Sequence, residues 1–315
     1  MAETEKKGNR FSNFLKNLFF LILILQFAPM LITGIKKQIK KVVNPDTYVG
    51  CIKIGTISDA SNCVKQIHKF QKRSDIKAIL LKINSPGGAP GASQAIFNEL
   101  KKFKAEKPVV AMVEDLCASG GYYVACVAEK IISNPAAIIG NIGSKWVIPN
   151  IKEFLNHYNV KVDEIQSGKF KTLLSMTKDR TPEETTLLQN FSDDVYRQFY
   201  SDVAKERNLS IANKNVWADG KIFTGEQAIK LKLIDQLGSI SETKETISKL
   251  LVDRKVEIKG KIKLIYPKVK SRFEKLFSGD AGGEENEGIT KIVASSLCDI
   301  WNTFLTNITN KNVLN

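Results

Sequence analysis

Ser119 stands in "DLCASGGYYVAC", residues 115–126, after small apolar residues and immediately before two glycines, and the chain then continues with an apolar stripe at helical spacing. A serine so placed has two uses: it is a nucleophile at the mouth of a helix, or it caps that helix with its hydroxyl. A second glycine turn, "NSPGG" at 84–88, closes an earlier strand-like run. Both turns lead from a strand into a helix, and in both the glycines let backbone amides approach a ligand closely. Each alone reads as a tight turn. Together they can form an oxyanion hole, with the amide of Gly87 from one turn and that of Gly120 from the other.

A nucleophilic serine needs a base. The chain has two histidines, His68 and His157, each inside a Lys/Asn-rich amphipathic pattern rather than at a strand end, which argues against a Ser-His-Asp triad. Lysine replaces histidine when its amine is desolvated enough to be neutral, and Ser-Lys pairs follow the same logic. Lys169 and Lys171 in "QSGKFKTLLS" (166–175) stand out, because they follow the strand-like "VKVDEI" and precede small and polar residues. The residues themselves leave both open.

These groups need a scaffold that brings strand ends together. "TYVGCIKIGTI", "SNCVKQIHKFQK", "IKAILLKIN", a helical pattern over about 92–104 and "PVVAMVED" alternate as β-α-β-α-β, which predicts a parallel sheet covered by helices. Chemistry is expected in the loops at the carboxyl ends of its strands. A long helix over about 181–207 opens on "TPEE", with Thr181 as cap, Pro182 at the first helical position and Glu184 closing a capping box. The chain past Leu237 reads as peripheral: an acidic, glycine-rich linker, "GDAGGEENEG" at 279–288, precedes an apolar stripe from Ile289 to Ile308.

The 315 residues are 43% hydrophobic, enough for a real core, and disorder is excluded as the overall state. The net charge of +14 is spread along the chain without a nucleic-acid-binding motif, so it speaks for an anionic membrane surface rather than for nucleic acid. Cys51, Cys63, Cys117, Cys126 and Cys298 show neither CxxC nor metal-ligand spacing, so no metal site is expected. From Leu18 to Ile35 the chain carries 18 residues without a charge, "LFFLILILQFAPMLITGI", with lysines on both flanks. That length spans a bilayer, and without an A-x-A-like site after it an uncleaved anchor is expected. The resulting division is 1–41 for the tip, anchor and basic flank, 42–250 for the α/β core and 251–315 for a C-terminal extension.

From about Val49 to Gly238 the chain resembles the signal peptide peptidase SppA group of membrane-bound serine proteases, peptidase family S49, in its short single-copy form. The resemblance rests on "INSPGG", on "ASGGYYVA", on "SGKFKTLLS" followed by "TPEE", and on "ADGKIFTGEQAIKLKLIDQLG" (218–238). It implies a ClpP/crotonase-like core, Ser119 as nucleophile, Lys171 as general base, and Gly87 and Gly120 as oxyanion donors. It implies no cofactor, and peptide substrates such as signal-peptide remnants. It further implies a homo-oligomeric ring, with an octamer as its candidate size, in which a neighbouring protomer lends the lysine. The setting would be a bacterial inner membrane with the catalytic domain on the extracytoplasmic side. Where the family usually has "G-S-[IL]-G", this chain has "GNIG", which makes Asn141 the candidate for orienting the lysine amine. Two rival readings are a non-catalytic membrane scaffold on the same fold and a crotonase-type acyl-CoA enzyme; neither needs a Ser-Lys pair.

Overall fold

The computed structural model describes residues 46–267 and a few positions between Leu18 and Thr33. The chain divides into two units, Met1–Tyr266 and Pro267–Asn315. Most of the expected anchor, the acidic linker and the apolar stripe from Ile289 lie outside the described residues. Among the described residues no helix is long and apolar enough to cross a membrane.

In chain order the elements are β1 (Thr47–Ile54), α1 (Ser61–Gln71), β2 (Ile76–Ser85), α2 (Pro90–Glu106), β3 (Val109–Ala118), α3 (Gly120–Ala125), β4 (Lys130–Ser133), β5 (Ile138–Gly140), α4 (Lys152–His157), α5 (Pro182–Arg207), α6 (Lys214–Trp217), β6 (Ile222–Thr224), α7 (Gly225–Lys230), β7 (Gln236–Leu237), α8 (Ile240–Asp253) and β8 (Ile262–Ile265). The strands form one sheet in the order β6-β5-β3-β2-β1-β8, with β4 beside β3 and β7 beside β4. Every pairing is parallel except β5 with β6. The predicted β-α-β-α-β alternation is therefore present, and helices cover both faces. Strand alternation sends Ile52, Ile79, Leu81 and Val113 into the larger core under α1, α2 and α3. It sends Val49, Cys51, Ala78, Leu80 and Val110 to the opposite face, where Ile247 and Leu251 of α8 cover them.

One irregularity positions the site. β3 runs from Val113 to Cys117 while its partner β2 advances only from Ile83 to Ser85. The extra β3 residues form a bulge, and there β3 exchanges one neighbour for another: Val110–Val113 pair with β4, whereas Leu116–Ala118 pair with β5. The end of β3 is thus held between β2 and β5, which is where residue 119 emerges.

Three expectations change. "VKVDEI" (160–165) forms no strand; these residues are exposed and pair with nothing in the sheet, because no strand edge is offered to them. The stretch past Leu237 is not peripheral, since α8 closes the second face of the sheet and β8 pairs with β1. The expected core boundary at 250 accordingly falls inside α8, and 262–265 supply an edge strand of the core sheet. By contrast, the helix expected from "TPEE" starts as read: Thr181 Oγ1 accepts the Glu184 N–H at 3.1 Å and Glu184 Oε2 accepts the Thr181 N–H at 2.9 Å.

Candidate active site

The two glycine turns are packed into each other. Gly87 has φ +104°, and a Cβ placed on it would lie 2.7 Å from Ser119 Cβ, 2.7 Å from the Gly120 nitrogen and 3.0 Å from Ser119 Oγ. A Cβ on Gly120 would lie 2.3 Å from Ser93 Oγ of α2 and 3.3 Å from the Gly88 nitrogen. No larger side chain fits at either position without moving backbone or the serine. The structure therefore brings Gly87, Gly88, Ser119 and Gly120 together, at the carboxyl ends of β2 and β3.

Ser119 is not an ordinary cap. Its φ of 52° and ψ of −128° put a non-glycine residue in a strained region, and its side chain makes no capping hydrogen bond. The strain is held from both sides, since the Ser119 N–H donates to Gly140 O at 2.8 Å and its carbonyl accepts from the Tyr123 N–H at 3.0 Å. A sharp, over-determined turn between a strand and a helix is how a nucleophilic hydroxyl is pushed out of a sheet. The residue is half-buried, and its hydroxyl has no hydrogen-bond partner among the described residues.

The amides of the first turn divide differently from the sequence-based expectation. The Gly87 N–H is buried and donates to Ser85 Oγ at 3.1 Å. Gly88 is exposed, and its N–H has no acceptor among the described residues. The free amide beside Gly120 is therefore that of Gly88. The second glycine of "PGG" is the signal for it, and it is easily overlooked because both glycines look alike in sequence.

Behind Ser119, α3 is clamped by α5. Tyr123 stacks on Phe199 with ring centroids 4.6 Å apart, and its hydroxyl donates to Asp202 in a short contact. Burial, followed by the Asp202 carboxylate, pushes the Tyr123 phenol up and keeps it neutral. Cys117, two residues before Ser119, is fully buried, and burial pushes its thiol up, away from the thiolate a nucleophile needs.

The candidate bases lie elsewhere. His68 contacts Glu99 at 2.7 Å on the outer side of α1 and α2, and His157 packs edge-on against Tyr158. Lys169 pairs with Glu183 at the start of α5 and lies over the Phe170 ring. Lys171 is exposed, in a run of turns, and its side chain makes no hydrogen bond or ion pair among the described residues. The single chain therefore does not join Lys171 to Ser119. Asn141, one residue past the β5 end that pairs with Ala118, has φ 51°. Its Nδ2 donates to Gly220 O at 2.8 Å, which leaves Oδ1 free to accept from an amine. The "ADG" of 218–220 thus serves to hold the "GNIG" turn, with the Asn141 N–H on Lys221 O at 2.7 Å and the Gly220 N–H on Ile142 O at 3.0 Å.

Comparison with known proteins bears on the same residues. Residues 101–254 match peptidase family S49, and residues 39–139 match the Clp protease family. A Synechocystis protein named "Putative protease slr0021" is 35% identical over 213 residues, which cover 68% of this chain and 74% of that one. The chain belongs to peptidase family S49. Other members resemble it over a smaller share of their length. An Enterococcus faecium protein named "Putative signal peptide peptidase SppA" is 31% identical over 60% of this chain and 55% of that one. The Arabidopsis thaliana "Serine protease SPPA, chloroplastic" is 29% identical over 59% of this chain and 28% of its own length. The S49 match begins within α2 and ends just past α8, so it includes Ser119, Asn141 and Lys171, while the Clp protease match spans the "SPGG" turn and Ser119.

Proposed function

We propose that this S49 chain is a serine endopeptidase in which Ser119 is the nucleophile and Lys171 the general base. The Lys171 amine takes the Ser119 proton as Oγ bonds to the peptide carbonyl carbon. The oxyanion so formed accepts from the amides of Gly120 and Gly88, while Gly87 shapes the turn from within. Collapse breaks the C–N bond, and the lysine proton goes to the leaving amine. Water then attacks the acyl-enzyme, giving one proton back to Lys171, and Ser119 recovers its own as it leaves.

The lysine comes from a second copy of the chain. In support, the Lys171 side chain has no hydrogen bond or ion pair among the described residues, and the stretch around it exposes Val147, Phe154, Val162, Ile165 and Leu174, which a second copy would cover. Asn141 Oδ1 receives the incoming amine. The substrates are apolar peptides such as signal-peptide remnants, in keeping with the name of the Enterococcus relative. They lie extended beside an exposed strand, held through backbone hydrogen bonds. The uncharged run Leu18–Ile35 anchors the chain at a membrane, with the core on the extracytoplasmic side.

The carrying observation is the interlock of Ser119 with the two glycine turns, since a cap or a scaffold has no need of a strained serine beside an unpaired amide. A fluorophosphonate probe tests it. The wild-type protein should be labelled at Ser119, located by peptide mass spectrometry, and Ser119→Ala should take no label. Peptide turnover by a purified protein that the probe leaves unmodified would sink the reading.

A further inference from the structure

Ser85 is the last residue of β2 and is fully buried. Its hydroxyl donates to Gly55 O at 2.6 Å, in the loop after β1, and accepts the Gly87 N–H at 3.1 Å, in the turn after β2. A Cβ on Gly121 would meet Ser85 Cβ and Oγ at 2.8 Å each, so the same side chain also lies directly against the start of α3. One hydroxymethyl group therefore touches the carboxyl ends of three neighbouring strands. Its hydrogen and one of its two acceptor lone pairs are used, and full burial keeps the hydroxyl away from a substrate.

The effect on the turn is specific. The Gly87 N–H points inward because Ser85 accepts it, and φ of +104° at Gly87 then turns the next peptide the other way. That next peptide carries the exposed N–H of Gly88. Its position is fixed from the far side too, since a Cβ on Gly88 would lie 1.9 Å from Ile57 O and the Ala89 N–H donates to that same oxygen at 2.7 Å.

We propose that Ser85 is a positioning residue for the oxyanion pocket: by taking the Gly87 N–H it aims the N–H of Gly88 at the acyl oxygen. The inference rests on the Ser119 peptidase reading. It adds a residue that acts through another and touches no substrate.

The experiment compares Ser85→Ala and Ser85→Cys with Ser133→Ala, each in the full-length chain. Ser133 is an equally buried serine that donates to Asn134 O at 3.0 Å and touches neither glycine turn. The readouts are kcat and KM on an apolar fluorogenic peptide, thermal stability, and affinity for a peptide aldehyde, whose adduct with Ser119 carries a tetrahedral oxygen. Ser85→Ala should lower kcat by about 10- to 100-fold, as a misaimed donor does, with KM within about twofold and aldehyde affinity falling in proportion to kcat. Ser133→Ala should keep kcat and aldehyde affinity. Ser85→Cys keeps the shape with a weaker acceptor and should fall between Ser85→Ala and wild type; should Ser85→Ala not fold, it carries the test alone. The proposal is overturned if the Ser85 variants lose stability yet keep wild-type kcat and aldehyde affinity. Failure of the underlying reading is seen separately, as wild-type turnover without an aldehyde or phosphonate adduct on Ser119, and it takes the proposal down with it.

Discussion

The glycine-turn cradle and the stretch from 144 to 180 are opposite kinds of structure within one chain. In the cradle Gly87, Ser119 and Gly120 are within contact of one another, buried serines brace them from below, and the backbone has no room for a single added methyl group. In the other stretch, apart from the short helix α4, the chain runs through turns and irregular backbone; Ile165 is wholly exposed, and the Lys171 side chain has no hydrogen bond or ion pair among the described residues. On the proposed reading, the difference means that one chain completes the nucleophile and the oxyanion side of the site, whereas the base side awaits something to pack against. A catalytic group on a solvated loop is loose, and a misplacement of about an ångström costs roughly a hundredfold in rate. On that reading the protein is active only when assembled.

The largest effect expected is at Ser119. Ser119→Ala should reduce peptide turnover by about 10⁴-fold or more while the melting temperature stays within a few degrees, since the side chain makes no capping hydrogen bond to α3. Lys171 comes next: Lys171→Ala and Lys171→Arg should be equally inactive, because a guanidinium stays protonated and cannot accept the serine proton. Lys169→Ala should keep most activity, its partner being Glu183. A dead Lys169→Ala beside an active Lys171→Ala, measured on the same peptide, would move the base to Lys169.

Glycine substitutions sharpen the contrast between the two regions directly. Gly88→Ala drives a methyl group into Ile57 O and should remove activity and cost several degrees of melting temperature. Gly168→Ala, at φ +100° in the exposed stretch, meets no atom within 4 Å. It should cost only backbone strain, on the order of 1–3 kcal/mol, and no folding defect in the cradle. Equal behaviour of the two variants in thermal melts and turnover would mean that the regions are not as different as the contacts indicate.

The smallest effect concerns α5, the helix that clamps α3. Burial pushes the Glu206 carboxyl up, but hydrogen bonds from Lys101 and Lys104 of α2 outweigh it, so the net shift is downward. A depressed carboxylate contributes stability that is present above its unfolded pKa and is lost as pH falls through the folded one. Glu206→Gln should therefore lower the melting temperature modestly at neutral pH and flatten its decline on the acid side. An unchanged acid limb in melts from neutral to acid pH would remove Glu206 from the account of how α5 is held.

The local signals that were legible in sequence are those set by local chemistry. The apolar run of strand length in "IKAILLKIN" and the capping box of "TPEE" lead to their observed elements because each depends on near neighbours. So does the pairing of two glycine turns, since strand-to-helix turns of a parallel sheet share one end. What was not legible depends on distant partners. "VKVDEI" alternates like a strand but has no edge to join, β8 gains its place only through β1, and the amide left free in "PGG" is decided by Ser85 two residues earlier together with Gly55. The relation of Lys171 to Ser119 is the extreme case, because on this account it crosses between chains.

Mixing two inactive variants tests that claim most directly. Ser119→Ala and Lys171→Ala subunits, co-assembled at equal ratio, pair an intact serine with an intact lysine at roughly a quarter of the junctions of a head-to-tail ring. The account predicts that turnover of an apolar peptide, absent from either variant alone, returns in the mixture to a comparable fraction of wild type. No recovery in a sample whose mixed assembly has been demonstrated would contradict it and return the base to the serine's own chain.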